Sequence, residues 1–185
     1  PHFDNPHFLR EASPLRGVFG TPFLADKIDA ERQVEAFARE ASGACVTVLR
    51  FAPLLGPTVE SYVTRWLARR FVPSLLGFDS LLQFVHEEDC LDAFEQAVLD
   101  AHPGVYNVVA PDPLPLSTIL RLSGTTTAPL PAPLLYRMRD LAARAATGDP
   151  PAAFYDYLRW TWVADGERGY AAFGEPAYTS REAWI

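Results

Sequence analysis

Three short apolar runs rich in β-branched residues, each followed by a helical pattern, constrain this chain more than any other feature. They are ACVTVLR at 44–50, LLQFVH at 81–86 and GVYNVV at 104–109. A strand apolar along its whole length is buried on both faces, which is the signature of a parallel sheet. Helical spacing fills the intervals at 21–41, 59–71 and 87–100, and strands alternating with helices mean an α/β fold. The segment 51–57, with two prolines and a glycine, reads as a loop at the carboxyl end of the first strand. Ligands of doubly wound sheets bind at that end.

The rest of the chain is punctuated more densely. Residues 1–19 read as loop, 110–115 as a proline-rich turn and 125–133 as loop. Ser117 is placed to cap a short helix that ends at Gly124. A helix over 134–147 stops before Pro150 and Pro151, 152–158 is helical, 160–163 is a short strand, and Thr179 or Ser180 caps a last helix. In the 21–41 helix, Phe23, Lys27, Ala30, Val34, Phe37 and Ala41 share one face. Glu35 and Arg39 form an i,i+4 pair. Glu87, Glu88 and Asp89 suit the positive end of the next helix.

Composition excludes several functions. The net charge is −7, and no basic run offers phosphate neutralisation, so nucleic acid is not an expected partner. No apolar run approaches the roughly 18–20 residues of a membrane span, and no secretory leader is seen, so no membrane partner and a cytoplasmic location are expected. Cys45 and Cys90 fall in apolar patterns and read as buried, reduced thiols. The chain opens on Pro1 and its only methionine is Met138, which reads as part of a longer polypeptide. Fifteen arginines accompany a single lysine, Lys27, so that one ammonium stands against the compositional trend.

Five blocks in order carry a resemblance: FLADKIDAERQVEAFA, VTVLRFAPLLGP, LQFVHEEDCLDAFEQAV, GVYNVVAPDPLPLSTILRLSG and FGEPAYTSREAWI. Over residues 20–185 the chain resembles the extended short-chain dehydrogenases, the NAD-dependent epimerase/dehydratase family. The implied fold class is α/β, the C-terminal portion of a Rossmann-like doubly wound parallel sheet plus a small substrate-binding lobe. Residues 1–124 would be the later part of the cofactor-binding domain with interleaved lobe segments, and 125–185 the lobe and C-terminal tail. The Gly-x-x-Gly-x-x-Gly turn that holds the cofactor pyrophosphate in such proteins is absent from this sequence. NAD or NADP is therefore expected in the intact protein and no cofactor on this chain alone.

The resemblance also assigns roles. In the family a tyrosine moves the substrate proton, and a lysine one turn later lowers its pKa and bonds the nicotinamide ribose. The matching residues here are Phe23 and Lys27, so the ordinary acid/base group is gone. Lys27 is either a cofactor contact or a surface partner of Glu31. Phe51, Ala52, Pro53 and Leu54 correspond to the loop beside the nicotinamide, with Phe51 in place of the more usual proline; a plain surface loop is the alternative. His86 is a weak substrate-binding candidate and otherwise a structural hydrogen-bonder. An arginine that binds the diphosphate of nucleotide sugars is replaced by Leu82, which weakens that substrate class. The aromatics Phe154, Tyr155, Tyr157, Trp160 and Trp162 line an apolar substrate pocket or form core. The implied activity is redox at a carbinol or ketone carbon of a small molecule, sugar-like or sterol-like, in a possible homodimer. The alternative is a non-catalytic homologue that binds a dinucleotide or a partner.

Overall fold

In the computed structural model, residues 2–16, 22–144 and 154–184 are described. The chain is mixed α/β. Helix α1 (Pro22–Glu40) precedes strand β1 (Thr47–Phe51), which pairs in parallel with β6 (Gly104–Val108) from Thr47↔Gly104 to Phe51↔Val108. Between them lie β2 (Leu54–Leu55), α2 (Tyr62–Leu67), β3 (Phe71–Leu75), β4 (Leu81–Leu82), β5 (Val85–His86) and α3 (Glu87–Leu99). After β6 come β7 (Leu114–Pro115), α4 (Leu116–Leu122), β8 (Thr126–Leu130), α5 (Ala132–Arg144), α6 (Phe154–Tyr157), α7 (Glu167–Phe173) and a 3₁₀ turn (Glu182–Trp184). Strands β2 and β5 pair in parallel, as do β3 and β8, and β4 with β7 is antiparallel. One bond prolongs the β1–β6 ladder, and another ties its far end to the segment between β4 and β5. Ala52 N–H donates to the Val108 carbonyl at 3.1 Å, and Ala110 N–H to that of Phe84 at 2.9 Å.

Two cores result. One, around Val85, Ala93, Tyr106, Val108 and Phe173, holds α3 and α7 against β6. The other packs Trp66, Leu67, Phe84, Ile119, Leu120 and Phe154 together.

Several sequence expectations need correction. The 81–86 strand is broken at Gln83, whose buried side chain replaces ladder bonds. Its Nε2 donates to the Ala110 carbonyl at 2.7 Å, and its Oε1 accepts from Ala164 N–H at 2.8 Å. The 160–163 segment is not a strand; Leu9 and Ala164 make one isolated bridge. Residues 126–130, expected as loop, form β8. Helix α2 stops at Leu67, short of Phe71, which opens β3. Both strands carry a proline, Pro73 and Pro129, which hid them from a pattern search. Ser117 does not cap α4 from outside. It lies within the first turn, and its N–H and hydroxyl both donate to Asp79, at 2.9 and 2.6 Å. Cys90 is buried, whereas Cys45 is exposed, just before β1 begins; both are free thiols. At the C-terminus, Thr179 and Glu182 form a reciprocal capping box: Thr179 N–H donates to Glu182 Oε2 at 2.9 Å, and Glu182 N–H to Thr179 Oγ1 at 3.1 Å.

Candidate functional site

The chain leaves β1 at its carboxyl end through a short, pinned segment. Ala52 is buried and its N–H is bonded into the sheet, while the Pro53 carbonyl accepts from Val85 N–H at 3.2 Å. Three residues on, Gly56 brings the backbone so close to α3 that a Cβ there would sit 2.6 Å from the Glu87 side chain. Glu87 accepts from Thr58 N–H at 3.2 Å and from the Thr58 hydroxyl, closing the loop. Ser61 then opens α2 through a capping box with Thr64, with bonds of 3.2 and 2.9 Å.

Helix α1 is fastened over the same strand end. Arg50 on β1 forks onto Glu31 of α1, its Nε 2.9 and 3.2 Å from the two carboxylate oxygens and its Nη2 also paired. A further N–H of Arg50 donates to the Glu11 carbonyl at 3.0 Å. Both side chains of the pair are mostly shielded, at 22% and 16% exposure, so the contact is a fixed point rather than a loose surface pair. It sets Lys27, one turn before Glu31, in the lining of a cleft of about 720 Å³.

That cleft gathers residues from four parts of the sequence. Lys27 and Glu31 come from α1, and Phe51, Ala52, Pro53 and Leu54 from the strand end. Its aromatic wall is Tyr62, Phe154, Tyr157 and Trp162. Their rings form a chain, with Tyr62–Phe154 centroids 5.7 Å apart, Phe154–Tyr157 6.3 Å and Tyr157–Trp162 5.0 Å. The Trp162 indole N–H donates to the Tyr157 carbonyl at 3.2 Å and so fixes that ring. Burial pushes the Tyr62 and Tyr157 phenols above their ordinary value; for Tyr157 the nearby Tyr62 and Asp156 add to the effect.

The remaining candidates fall elsewhere. His86 is buried beside the start of α3. Its Nδ1 accepts from Glu88 N–H at 3.3 Å, and its ring stacks on Tyr178 at 4.0 Å. Asp89 turns its carboxylate to the C-terminal segment and accepts from Ala177 and Tyr178 N–H at 2.7 and 3.3 Å. Burial is the largest influence on Asp89 and raises its pKa against the pull of those donors. Leu82 is core, paired with Leu114. Trp160 lies apart from the aromatic wall, under the Arg159 guanidinium at 4.5 Å. Phe23 lies on α1 four residues before Lys27, and its side chain is outside the described part of the structure. Sequence reasoning missed Tyr62, whose position at the start of α2 is legible from the Ser61 cap but whose direction is not. Among the described residues no cluster of metal-binding side chains occurs, and no helix is long and apolar enough to cross a membrane.

No family model matches the chain. Solved structures align over nearly all of it. A UDP-glucose 4-epimerase from Thermotoga maritima, solved with UDP-glucose, is 19% identical with a TM-score of 0.67, covering 95% of this chain and 54% of that one. The dTDP-glucose 4,6-dehydratase DesIV from Streptomyces venezuelae, solved with NAD and TYD, is 16% identical with a TM-score of 0.66, covering 98% and 55%. The fold is that of the extended short-chain dehydrogenases. Curated relatives include uncharacterized proteins of Mycobacterium tuberculosis and Mycobacterium bovis, 31% identical over 185 residues. The alignment takes in 100% of this chain and 49% of each relative, so the chain spans about half the length of the curated relatives it matches.

Proposed function

We propose that this chain is the C-terminal, substrate-side half of a nicotinamide-dependent oxidoreductase of the epimerase/dehydratase type. The observation that carries the proposal is the cleft at the carboxyl end of β1. It unites Lys27 with Phe51–Leu54, two groups that the sequence offers only separately. Solved neighbours with NAD bound support NAD as the cofactor class.

The residues present fit one end of such a cofactor. The ammonium of Lys27 suits a ribose hydroxyl, and the Ala52–Pro53 backbone suits a flat ring lying against it. Nothing in the sequence fits the pyrophosphate, because the glycine-rich turn is absent. Nicotinamide bound here would supply or accept a hydride. The chain itself would orient the ribose through Lys27 and shield the reacting face with Phe51 and the aromatic wall. Phe23, one turn before Lys27, carries no proton, so this reading includes a slow acid/base step. Phe23 also favours a second reading, a homologue that binds a dinucleotide or a partner without turnover.

The test uses the full-length gene product. Titration with NADH should give micromolar binding that Lys27→Ala weakens. Turnover of secondary alcohols and ketones should be slow and should rise about 10²–10⁴-fold in Phe23→Tyr. NADH binding with no turnover in either form supports the second reading, and brisk turnover unchanged by Phe23→Tyr contradicts the assigned role of position 23.

A further inference from the structure

We infer that Tyr62 is the acid/base group of this cleft, supplying the proton that position 23 cannot. The inference rests on the nicotinamide reading just proposed and adds a residue to it.

A general acid must share the cleft with the hydride and reach the reacting oxygen. Among the described lining residues two carry a phenol, Tyr62 and Tyr157. Tyr62 comes from a different element than Phe23, as the first residue of α2. Its backbone is fixed from both directions. Upstream, Thr58 N–H donates to the Glu87 carboxylate at 3.2 Å. At the start of α2, Ser61 N–H donates to Thr64 Oγ1 at 2.9 Å, and Thr64 N–H to Ser61 Oγ at 3.2 Å. The Tyr62 ring stands edge-on to Phe154, with centroids 5.7 Å apart and planes at 76°. Backbone and ring together hold the phenol on the cleft wall, which a positioned proton donor requires.

Electrostatics chooses between the two phenols. Burial alone raises Tyr62, whereas Tyr157 is raised by burial and further by Tyr62 and Asp156. Tyr62 therefore gives up its proton first, and Tyr157 keeps its own. In ketone reduction the Tyr62 O–H bond breaks as its proton passes to the carbonyl oxygen. That oxygen takes the C=O electron pair displaced when hydride from NADH, oxidised to NAD⁺, reaches the carbon. The phenolate regains a proton from water. In alcohol oxidation the phenolate takes the hydroxyl proton instead. A phenol raised by burial is a sluggish acid near neutral pH, in keeping with the slow step assigned above.

The experiment uses the full-length product and reads phenol ionisation before turnover. Ultraviolet difference titration follows tyrosinate formation in the unaltered protein and in Tyr62→Phe, each alone, with NAD⁺ and with NADH. The ionisation missing from Tyr62→Phe is that of Tyr62. NAD⁺ carries a positive nicotinamide, which favours a facing phenolate, whereas the reduced ring is neutral. The Tyr62 midpoint should fall by at least about one pH unit with NAD⁺ and stay in place with NADH. On the ketone panel, Tyr62→Phe should lower turnover at least about tenfold, and Phe23→Tyr should rescue the double variant. A Tyr62 midpoint indifferent to NAD⁺, or moved equally by NADH, overturns the inference and leaves the nicotinamide reading standing. Turnover unchanged by Tyr62→Phe does the same and places the donor elsewhere. Cofactor binding with no turnover in any variant overturns it in favour of the non-catalytic reading. Failure of both NAD⁺ and NADH to bind removes the inference together with the reading beneath it.

Discussion

Tyr170 shows how a single side chain joins the C-terminal segment to the sheet. Its hydroxyl donates to the Val109 carbonyl at 3.0 Å, and its ring lies where a Cβ on Gly166 would be. Burial, with Glu175, Asp165 and Asp112 nearby, pushes the phenol up to about 12. The folded value lies above the ordinary 10.0, so the phenol's contribution to stability is complete below about pH 10 and is lost as pH rises towards 12. Tyr170→Phe in the full-length product should cost about 1 kcal/mol near neutral pH. That gap should close between pH 10 and 12, as measured by urea unfolding at several pH values. A gap that widens with alkali contradicts the assignment. This role was not legible in the sequence, where Tyr170 is one of seven tyrosines. His86 and Lys27 stood out by motif, yet motif alone does not separate them. The structure puts Lys27 in the cleft and His86 under Tyr178.

At the scale of elements, periodicity reported buried strands and amphipathic helices and failed where side chains or prolines replace ladder bonds. Strands β1 and β6 and helix α3 were legible to within three residues at either end because their apolar periods are unbroken. Strands β3 and β8 pair through Pro73↔Ala128 and Ser74↔Pro129, and proline erases the donor a pattern search assumes. Helix α7 was missed because Gly169 is its third residue, and glycine reads as a break. The structure gives the reason for that glycine. A Cβ at position 169 would lie 2.2 Å from the Asn107 carbonyl oxygen, so α7 rests on the backbone of β6. Gly169→Ala is therefore predicted to run against helix propensity. On an open helix face the change would stabilise by up to about 1 kcal/mol. Here it should destabilise by about 1–3 kcal/mol, because the obstructing atom is backbone and cannot turn aside. Chemical denaturation beside Ala171→Gly, an exposed position on the same helix, checks it. The control should lose only the propensity cost, and equal small losses in both would show that α7 does not bear on β6.

At the scale of the whole molecule, the two edges of the β1–β6 ladder differ. Beyond β6, Asn107 closes the edge: its N–H donates to Glu11 Oε1 at 2.9 Å, and its Nδ2 to the carbonyls of Leu9 and Asp165 at 3.0 and 2.9 Å. Beyond β1 no described strand pairs, and all five of its residues are only half-buried. A parallel strand ordinarily has both faces covered, so β1 looks unfinished for its type. The helices flanking it agree. Val34 and Phe37 of α1 are 39% and 58% exposed, and Leu91, Phe94 and Val98 of α3 are 65%, 50% and 82% exposed. The apolar face that the sequence draws on α1 therefore exists, but nothing described covers it. An open strand edge between two bare apolar helix faces invites association. The 185-residue chain expressed by itself is accordingly predicted to self-associate, or to be poorly stable and bind hydrophobic dye, while the full-length product is not. Light scattering with thermal unfolding decides between the outcomes. Scattering should report oligomers or aggregates at micromolar concentration, and Phe37→Glu with Phe94→Glu should reduce them without restoring a cooperative transition, because charges cover neither the edge nor the strand. A monodisperse monomer melting cooperatively above about 55 °C, well inside the mesophilic range, would show that the two cores suffice and that the open edge of β1 is tolerated.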